Sequence, residues 1–197
     1  MKADNLLNRN FVRWMAADEG PESDIVVSSR IRLARNLDLM PFSHLLDLED
    51  GKKCLQEIEK AWKKRDNKDL LEMELLTFNQ LTALERQMLV EKHLISPNHA
   101  ESADSFRGVL ANPDGSLVIM INEEDHLRIQ CFLPGLQLEE CYRRAQKIDD
   151  ELEENLNFAF DERRGYLTSC PTNVGTGMRA SVMLHLPAIV FSGQTNH

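Results

Sequence analysis

At 197 residues with a formal charge of −9, the chain is long enough to bury one substantial core, and its acidity excludes a general nucleic-acid-binding surface, which needs a positive field. No apolar run approaches the roughly 20 residues that span a bilayer, and the amphipathic start "MKADNLLNRNFVRWM" lacks the apolar stretch and cleavage site of a secretory signal. Cys54, Cys131, Cys141 and Cys170 are widely separated with no C-x-x-C pair, so they read as reduced thiols in a cytoplasmic protein rather than a zinc site or disulfide framework.

In chain order, residues 5–16 predict a short helix with Leu6, Leu7, Phe11 and Trp14 on one side, ended by "GPES" at 20–23. "DIVVSSRIRLA" (24–34) predicts a β-branched strand. Residues 49–65 carry apolar positions 55, 58 and 62 at helical spacing and end in basic residues, as suits a helix C-terminus. "RDNKD" is read as a loop, residues 70–78 fit helix or strand equally, and 81–94 predict a helix.

"GVLANPDGSLVIMIN" (108–122) predicts a hairpin turning at Asn112–Gly115, and "HLRIQCFL" (126–133) a returning strand. Leu138, Cys141, Ala145, Ile148 and Leu152 recur at alternating three and four, a strongly amphipathic helix over 136–156. "RGYLTSC" (164–170) and "MRASVMLHL" (178–186) predict strands flanking the loop "PTNVGTG". Hairpin-like strands followed by a long helix predict an α+β fold, an antiparallel sheet flanked by helices.

Strand alternation then sorts the side chains. Ser28, Arg30 and Arg32 share one face of the first strand, with Ser29 and Ile31 on the other. His126, Arg128 and Gln130 share a face of a second strand, and Arg179 lies opposite Ala180, Val182, Leu184 and Leu186 on a third. If the strands share a sheet, four guanidinium groups converge, and their rigid forks of donors suit a polyphosphate; the alternative is that each arginine solubilises an exposed face. Gly175 and Gly177 open the loop backbone to phosphate oxygens, although no G-K-[ST] follows to make a P-loop. The acidic run Glu123, Glu124 and Asp125 reads either as a solvated turn or as a site for a cation or cationic substrate. His93 and His99 lack metal-ligand spacing, no protein-built metal site is expected, and G-x-S-x-G is absent.

"SSRIRLARN", "NEEDHLRI" and "YLTSCPTNVGTGMRASVMLHLP" resemble, in sequence and order, the signature blocks of the phosphagen (guanidino) kinases. Further agreement around "GPESDIVVSSRIRLARN", "VEKHLISPN" and "RIQCFLPG" makes the chain most similar to the bacterial protein-arginine kinases, from about Phe11 to about Val190. The resemblance implies a guanidino-kinase catalytic domain over 24–197, C-terminally incomplete, after a short helix and lead-in over 1–23, without the family's helical C-terminal domain and further arginine-bearing loop.

It also implies that ATP donates its γ-phosphoryl group to an arginine nitrogen, with Mg²⁺ bridging phosphate oxygens. By the match, Ser28, Ser29, Arg30, Ile31 and Arg32 hold nucleotide phosphates, and His93 lies near the base or ribose. Arg128 and the run Arg179, Ala180, Ser181, Val182 and Met183 complete the nucleotide site. Glu124 matches the catalytic carboxylate and Cys170 the cysteine beside the substrate guanidinium. Only about two dozen residues precede "SSRIR", too few for the helical domain that small-guanidine kinases carry there, which favours arginine on a protein surface as substrate. The partners implied are arginine-bearing proteins of the bacterial stress response, the McsA activator, the CtsR repressor, the ClpC protease system and a second copy of the chain, with no direct nucleic acid or membrane. Two alternatives stay open: a catalytically silent nucleotide-binding or interaction module, and a kinase of small guanidines such as arginine or creatine.

Overall fold

Strand β1 (Val26–Arg35) is the axis of the fold in the computed structural model, which describes residues 7, 12–16, 20–64, 66, 68–102 and 104–193. The other strands of its sheet are β2 (Glu74–Thr77), β3 (Gly108–Ala111), β4 (Leu117–Ile121), β5 (Leu127–Pro134) and β8 (Met178–Leu184), in spatial order β2-β3-β4-β5-β1-β8. Every pairing is antiparallel, so β1 is hydrogen-bonded to β5 on one side and to the edge strand β8 on the other. The fold class is the expected α+β, with helices packed on an antiparallel sheet.

Alternation gives the sheet two unlike faces. Ile31, Leu33, Ile119, Ile121, Ile129 and Cys131 form the apolar face and meet two long helices, α2 (Leu48–Lys63) through Cys54, Leu55 and Ile58, and α6 (Leu138–Glu153) through Cys141, Ala145 and Ile148. Burying a large aliphatic side chain contributes about 1.5–3 kcal/mol, so this stripe-on-sheet contact dominates the stability of the domain. Helix α2 starts where Asp47 accepts hydrogen bonds from the Glu49 and Asp50 amides, at 2.9 and 2.8 Å, which satisfies two amides with no intrahelical partner. The other face is covered over β2–β4 by Phe78, Leu89 and Leu94 around Val109, Val118 and Met120. Over β1, β5 and β8 it carries the arginines instead.

The β3–β4 hairpin turns as expected: Asn112 accepts from Leu117 N–H at 3.0 Å, Asp114 accepts from Ser116 N–H at 2.9 Å, and Gly115 takes φ +70°. The ambiguous stretch 70–78 divides, with helix α3 (Lys68–Glu72) beginning inside the expected loop and running into β2. The short helices α4 (Ala83–Glu91) and α5 (Pro97–Glu101) follow, the second of which the sequence reading missed. Of the expected N-terminal helix, Leu7 and α1 (Arg13–Ala16) are helical, and the rest lies outside the described residues.

The expected strand over 164–170 is corrected. Only β7 (Gly165–Tyr166) forms a strand, paired with β6 (Phe160–Asp161); Leu167 N–H still donates to Ala159 O at 2.8 Å, and beyond it side chains take up backbone groups. Asn36 donates to Leu167 O at 3.0 Å and Asp125 accepts from Ser169 N–H at 2.7 Å. A last short helix, α7 (Pro187–Phe191), closes the described chain. Among the described residues no helix is long and apolar enough to cross a membrane.

Candidate active site

The β1 register places Arg32 between Gln130 of β5 and Arg179 of β8, and Arg30 between Phe132 and Ser181. Ala34, opposite Arg128, keeps the next position small. The four guanidinium groups therefore share one face. Arg30 donates to Ser181 Oγ at 3.2 Å and lies over the Phe132 ring, 5.6 Å from its centroid. Burial, together with Arg128 and Arg179, pushes the Arg30 guanidinium below its ordinary range. Arg32 is driven down to about 10 by burial and by Arg30, Arg128 and Arg179, with Glu123 opposing weakly. Its buried Nε has no hydrogen-bond partner among the described residues. A cluster in which cations depress one another and leave a buried donor unmatched is built for an anion.

The acidic turn gives each of its three carboxylates a separate place. Glu123 is largely buried; burial pushes its carboxyl up, but Arg128 at 2.7 Å and Ser96 at 2.6 Å outweigh that and hold it below the usual range. Asp125 is buried and accepts from Asn36 Nδ2 at 2.6 Å as well as from Ser169 N–H, so it ties β1 to the segment before Cys170. Glu124 is exposed and its side chain makes no hydrogen bond or ion pair among the described residues. It lines a cavity of about 140 Å³ together with Arg32, Arg128, Arg179 and Cys170. Cys170 is half-buried, with Sγ 3.0 Å from Thr172 Oγ1.

His126, expected to share the arginine face, is fully buried. Its Nδ1 accepts from Leu37 N–H at 2.9 Å, so Nε2 carries the proton it donates to Pro41 O at 2.8 Å. Burial lowers its pKa and the bond to Pro41 opposes, leaving a neutral ring that braces the turn.

A second cavity, about 230 Å³, lies further along the same face. Ser28, Arg30, Phe132, Ser181 and Met183 form its floor, and Trp14 and His93 also line it. Trp14 stacks on Phe132 with centroids 5.1 Å apart and planes 7° from parallel, so the cavity offers aromatic surface beside a cation. Trp14 and Phe132 escaped the sequence reading; the signal was an aromatic on the arginine face, two residues after Gln130.

The structure divides the residues assigned to the nucleotide. Ser28, Arg30, Arg32, Arg128, Arg179, Ser181 and Met183 reach the arginine face, and His93 and Val182 join them at the second cavity. Ser29 and Ile31 do not: Ile31 is core, and Ser29 donates to Gly135 O and accepts from Gln137 N–H, both at 2.8 Å, fastening the turn into α6. Ala180 pairs with Ile31 and lines neither cavity.

The glycine loop also differs from expectation. Gly175 N–H donates to Tyr166 O and Gly177 N–H to Asn173 O, so neither amide is free for phosphate. The glycines answer a conformational need, with φ +116° and +62°. Among the described residues no group of three or more His, Cys, Asp or Glu side chains converges as a metal site.

The profile of the ATP:guanido phosphotransferase C-terminal catalytic domain matches residues 53–197. The chain belongs to the ATP:guanido phosphotransferase family. It is 64% identical over 197 residues to a protein-arginine kinase of Syntrophomonas wolfei, covering all of this chain and 55% of that protein. A protein-arginine kinase of Desulforamulus reducens is 49% identical over the same length, again with 55% of it covered. The chain thus spans about half the length of the curated relatives it matches. Among solved structures, the duplicated taurocyamine kinase of Schistosoma mansoni with transition-state-analogue components superposes with a TM-score of 0.80 at 26% identity, over 96% of this chain and 27% of that one. Lombricine kinase shares the fold, with a TM-score of 0.73 at 20% identity over 96% of this chain and 58% of that one.

Proposed function

We propose that the chain carries the phosphate-holding and carboxylate parts of a protein-arginine kinase, which moves the γ-phosphoryl group of ATP to arginine side chains of proteins. The observation that carries this reading is the meeting of three guanidinium groups, Arg32, Arg128 and Arg179, with the unpartnered carboxylate of Glu124 on one small cavity. The larger cavity, with Trp14, Phe132 and His93, suits a base and sugar. Phosphates leaving it would run across Arg30 and Arg32 toward Glu124. Arg32's unmatched Nε supports the fit to a polyphosphate.

A divalent ion, where present, neutralises charge on phosphate oxygens. Mg²⁺ commonly takes most of its ligands from phosphate and water, and Glu124, exposed on this cavity, would be the carboxylate free to approach it among the described residues. An arginine guanidinium is protonated at neutral pH and is a poor nucleophile. Glu124 pairs with it, orients one nitrogen and accepts its proton as that nitrogen bonds to phosphorus and the bond to the ADP oxygen breaks. Positioning and charge stabilisation supply most of the acceleration, with general-base assistance adding about 10²–10⁴-fold. Cys170 lines the same cavity, which supports a position for it beside the incoming guanidinium.

The names of the relatives support protein rather than free arginine as acceptor. A cytoplasmic role in the bacterial stress response, with McsA, CtsR, ClpC or a second copy as partners, belongs to the same proposal, as does the division into a lead-in over 1–23 and a catalytic unit from residue 24. A second reading, nucleotide binding without transfer, is favoured by the openness of the cleft at β8, where Arg179 and Met183 are exposed. Incubation with Mg²⁺-ATP and an arginine-rich protein separates the two: acid-labile phosphoarginine is expected. Nucleotide binding with no such product sinks the transfer reading, and efficient turnover of free arginine or creatine sinks the choice of a protein substrate.

A further inference from the structure

Arg35 ends β1, points away from the arginine face and is only 3% exposed. Its guanidinium is used on every side. Nη2 and Nε donate to Asp149 Oδ2 on α6 at 2.6 and 3.2 Å. Nη1 donates to Ala34 O at 2.8 Å and Thr176 O at 3.0 Å. The Tyr166 ring covers its face, 3.6 Å from Cζ.

Tyr166 and Ala34 connect the guanidinium to the glycine loop. Tyr166 exchanges backbone hydrogen bonds with Gly175 at 2.8 and 3.2 Å, and Ala34 N–H donates to Gly177 O at 2.8 Å. Gly177 is moulded on the guanidinium, since a Cβ there would fall 2.5 Å from Arg35 Nη1 and 2.6 Å from Ala34 O. Thr172, Asn173 and Gly177 wall the Glu124 cavity, and Arg179 follows two residues later. Stability alone does not account for this ion pair. Asp149 Oδ1 is buried without a partner among the described residues, and burial holds its carboxyl above the usual range despite Arg35. Buried pairs of this kind are often no more stable than apolar replacements, whereas their fixed directions specify geometry.

We infer that Arg35, clamped by Asp149 and Tyr166, is a positioning residue that sets the Gly175–Gly177 turn and thereby the placement of Arg179 and the loop wall against the phosphates. The inference rests on reading the cleft as the phosphate site. Arg35→Lys keeps the charge but loses the fork and the flat stacking face.

The test is calorimetric titration of the chain and of Arg35→Lys with ATP and with AMP, beside amide hydrogen exchange. The variant should lose roughly tenfold or more in ATP affinity, with AMP affinity within about twofold of the unaltered chain, and amides of 175–178 should exchange faster while those of β5 do not. A parallel fall for both nucleotides, or an unchanged ATP affinity, overturns the inference. If Arg35→Lys does not fold, Tyr166→Leu, at a half-buried site, carries the same test by the same criteria. If the unaltered chain binds no ATP, the reading of the cleft fails separately, and the exchange data alone judge the clamp: unchanged protection at 175–178 overturns it.

Discussion

Replacing Arg32 with glutamine should raise the stability of the free protein while weakening its hold on ATP. Burial and three neighbouring cations depress its pKa from 12.5 to about 10, a difference worth about 3 kcal/mol against the charged form. The side chain is only half-buried, so solvent screening reduces this to about 1–2 kcal/mol. Both pKa values lie far above neutrality, so the charged form is carried at pH 7 and the whole discounted cost applies there. Removing the charge should therefore raise Tm by about 2–8 °C in a domain of this size. Losing its charge-assisted hydrogen bonds to phosphate, worth about 1.5–3 kcal/mol, should weaken ATP roughly 10- to 150-fold. Thermal unfolding at pH 7 with and without ATP reads both effects, since ligand that binds only the folded form raises Tm. A lower Tm without ligand, or an ATP-induced shift as large as in the unaltered chain, refutes the reasoning.

Glu124→Gln, tested in whatever form of the protein transfers phosphate, should abolish phosphoarginine formation while leaving the ATP dissociation constant within about threefold, because Glu124 forms no hydrogen bond or ion pair with the arginines among the described residues; retained transfer removes it from its role. His99 gives a pH prediction. Burial holds its pKa down to about 4, against the pull of its bond to Gly108, from an ordinary 6.5. The unfolded chain therefore binds more protons between those values. Stability is full above pH 6.5 and falls by about 3 kcal/mol as pH drops toward 4. Urea unfolding across that window should show a shallower acid limb in His99→Gln, and an identical slope would contradict the assignment.

Much of the arginine face was legible because a strand repeats every two residues: Ser28, Arg30 and Arg32 had to share a side, and pairing through β1 brought Arg128 and Arg179 to it. The same rule should have discounted Ser29, Ile31 and Ala180. The acidic turn was not legible from local pattern. What separates Glu123, Glu124 and Asp125 is contact with Ser96, Arg128, Asn36 and Ser169, and three of those four are far away in sequence. Residues 167–170 have a composition that allows a strand, yet Asn36 takes the Leu167 carbonyl and Asp125 the Ser169 amide. Gly175 and Gly177 do supply backbone freedom, but both amides are used within the fold, and at Gly177 that freedom makes room for Arg35.

Titration of the protein with ATP and AMP at low and high salt tests most directly whether the arginine face holds a chain of phosphates. ATP should bind more tightly than AMP, by a margin that narrows as salt screens the half-buried cluster. Equal affinities for the two nucleotides at low salt, or no binding of either, would contradict it.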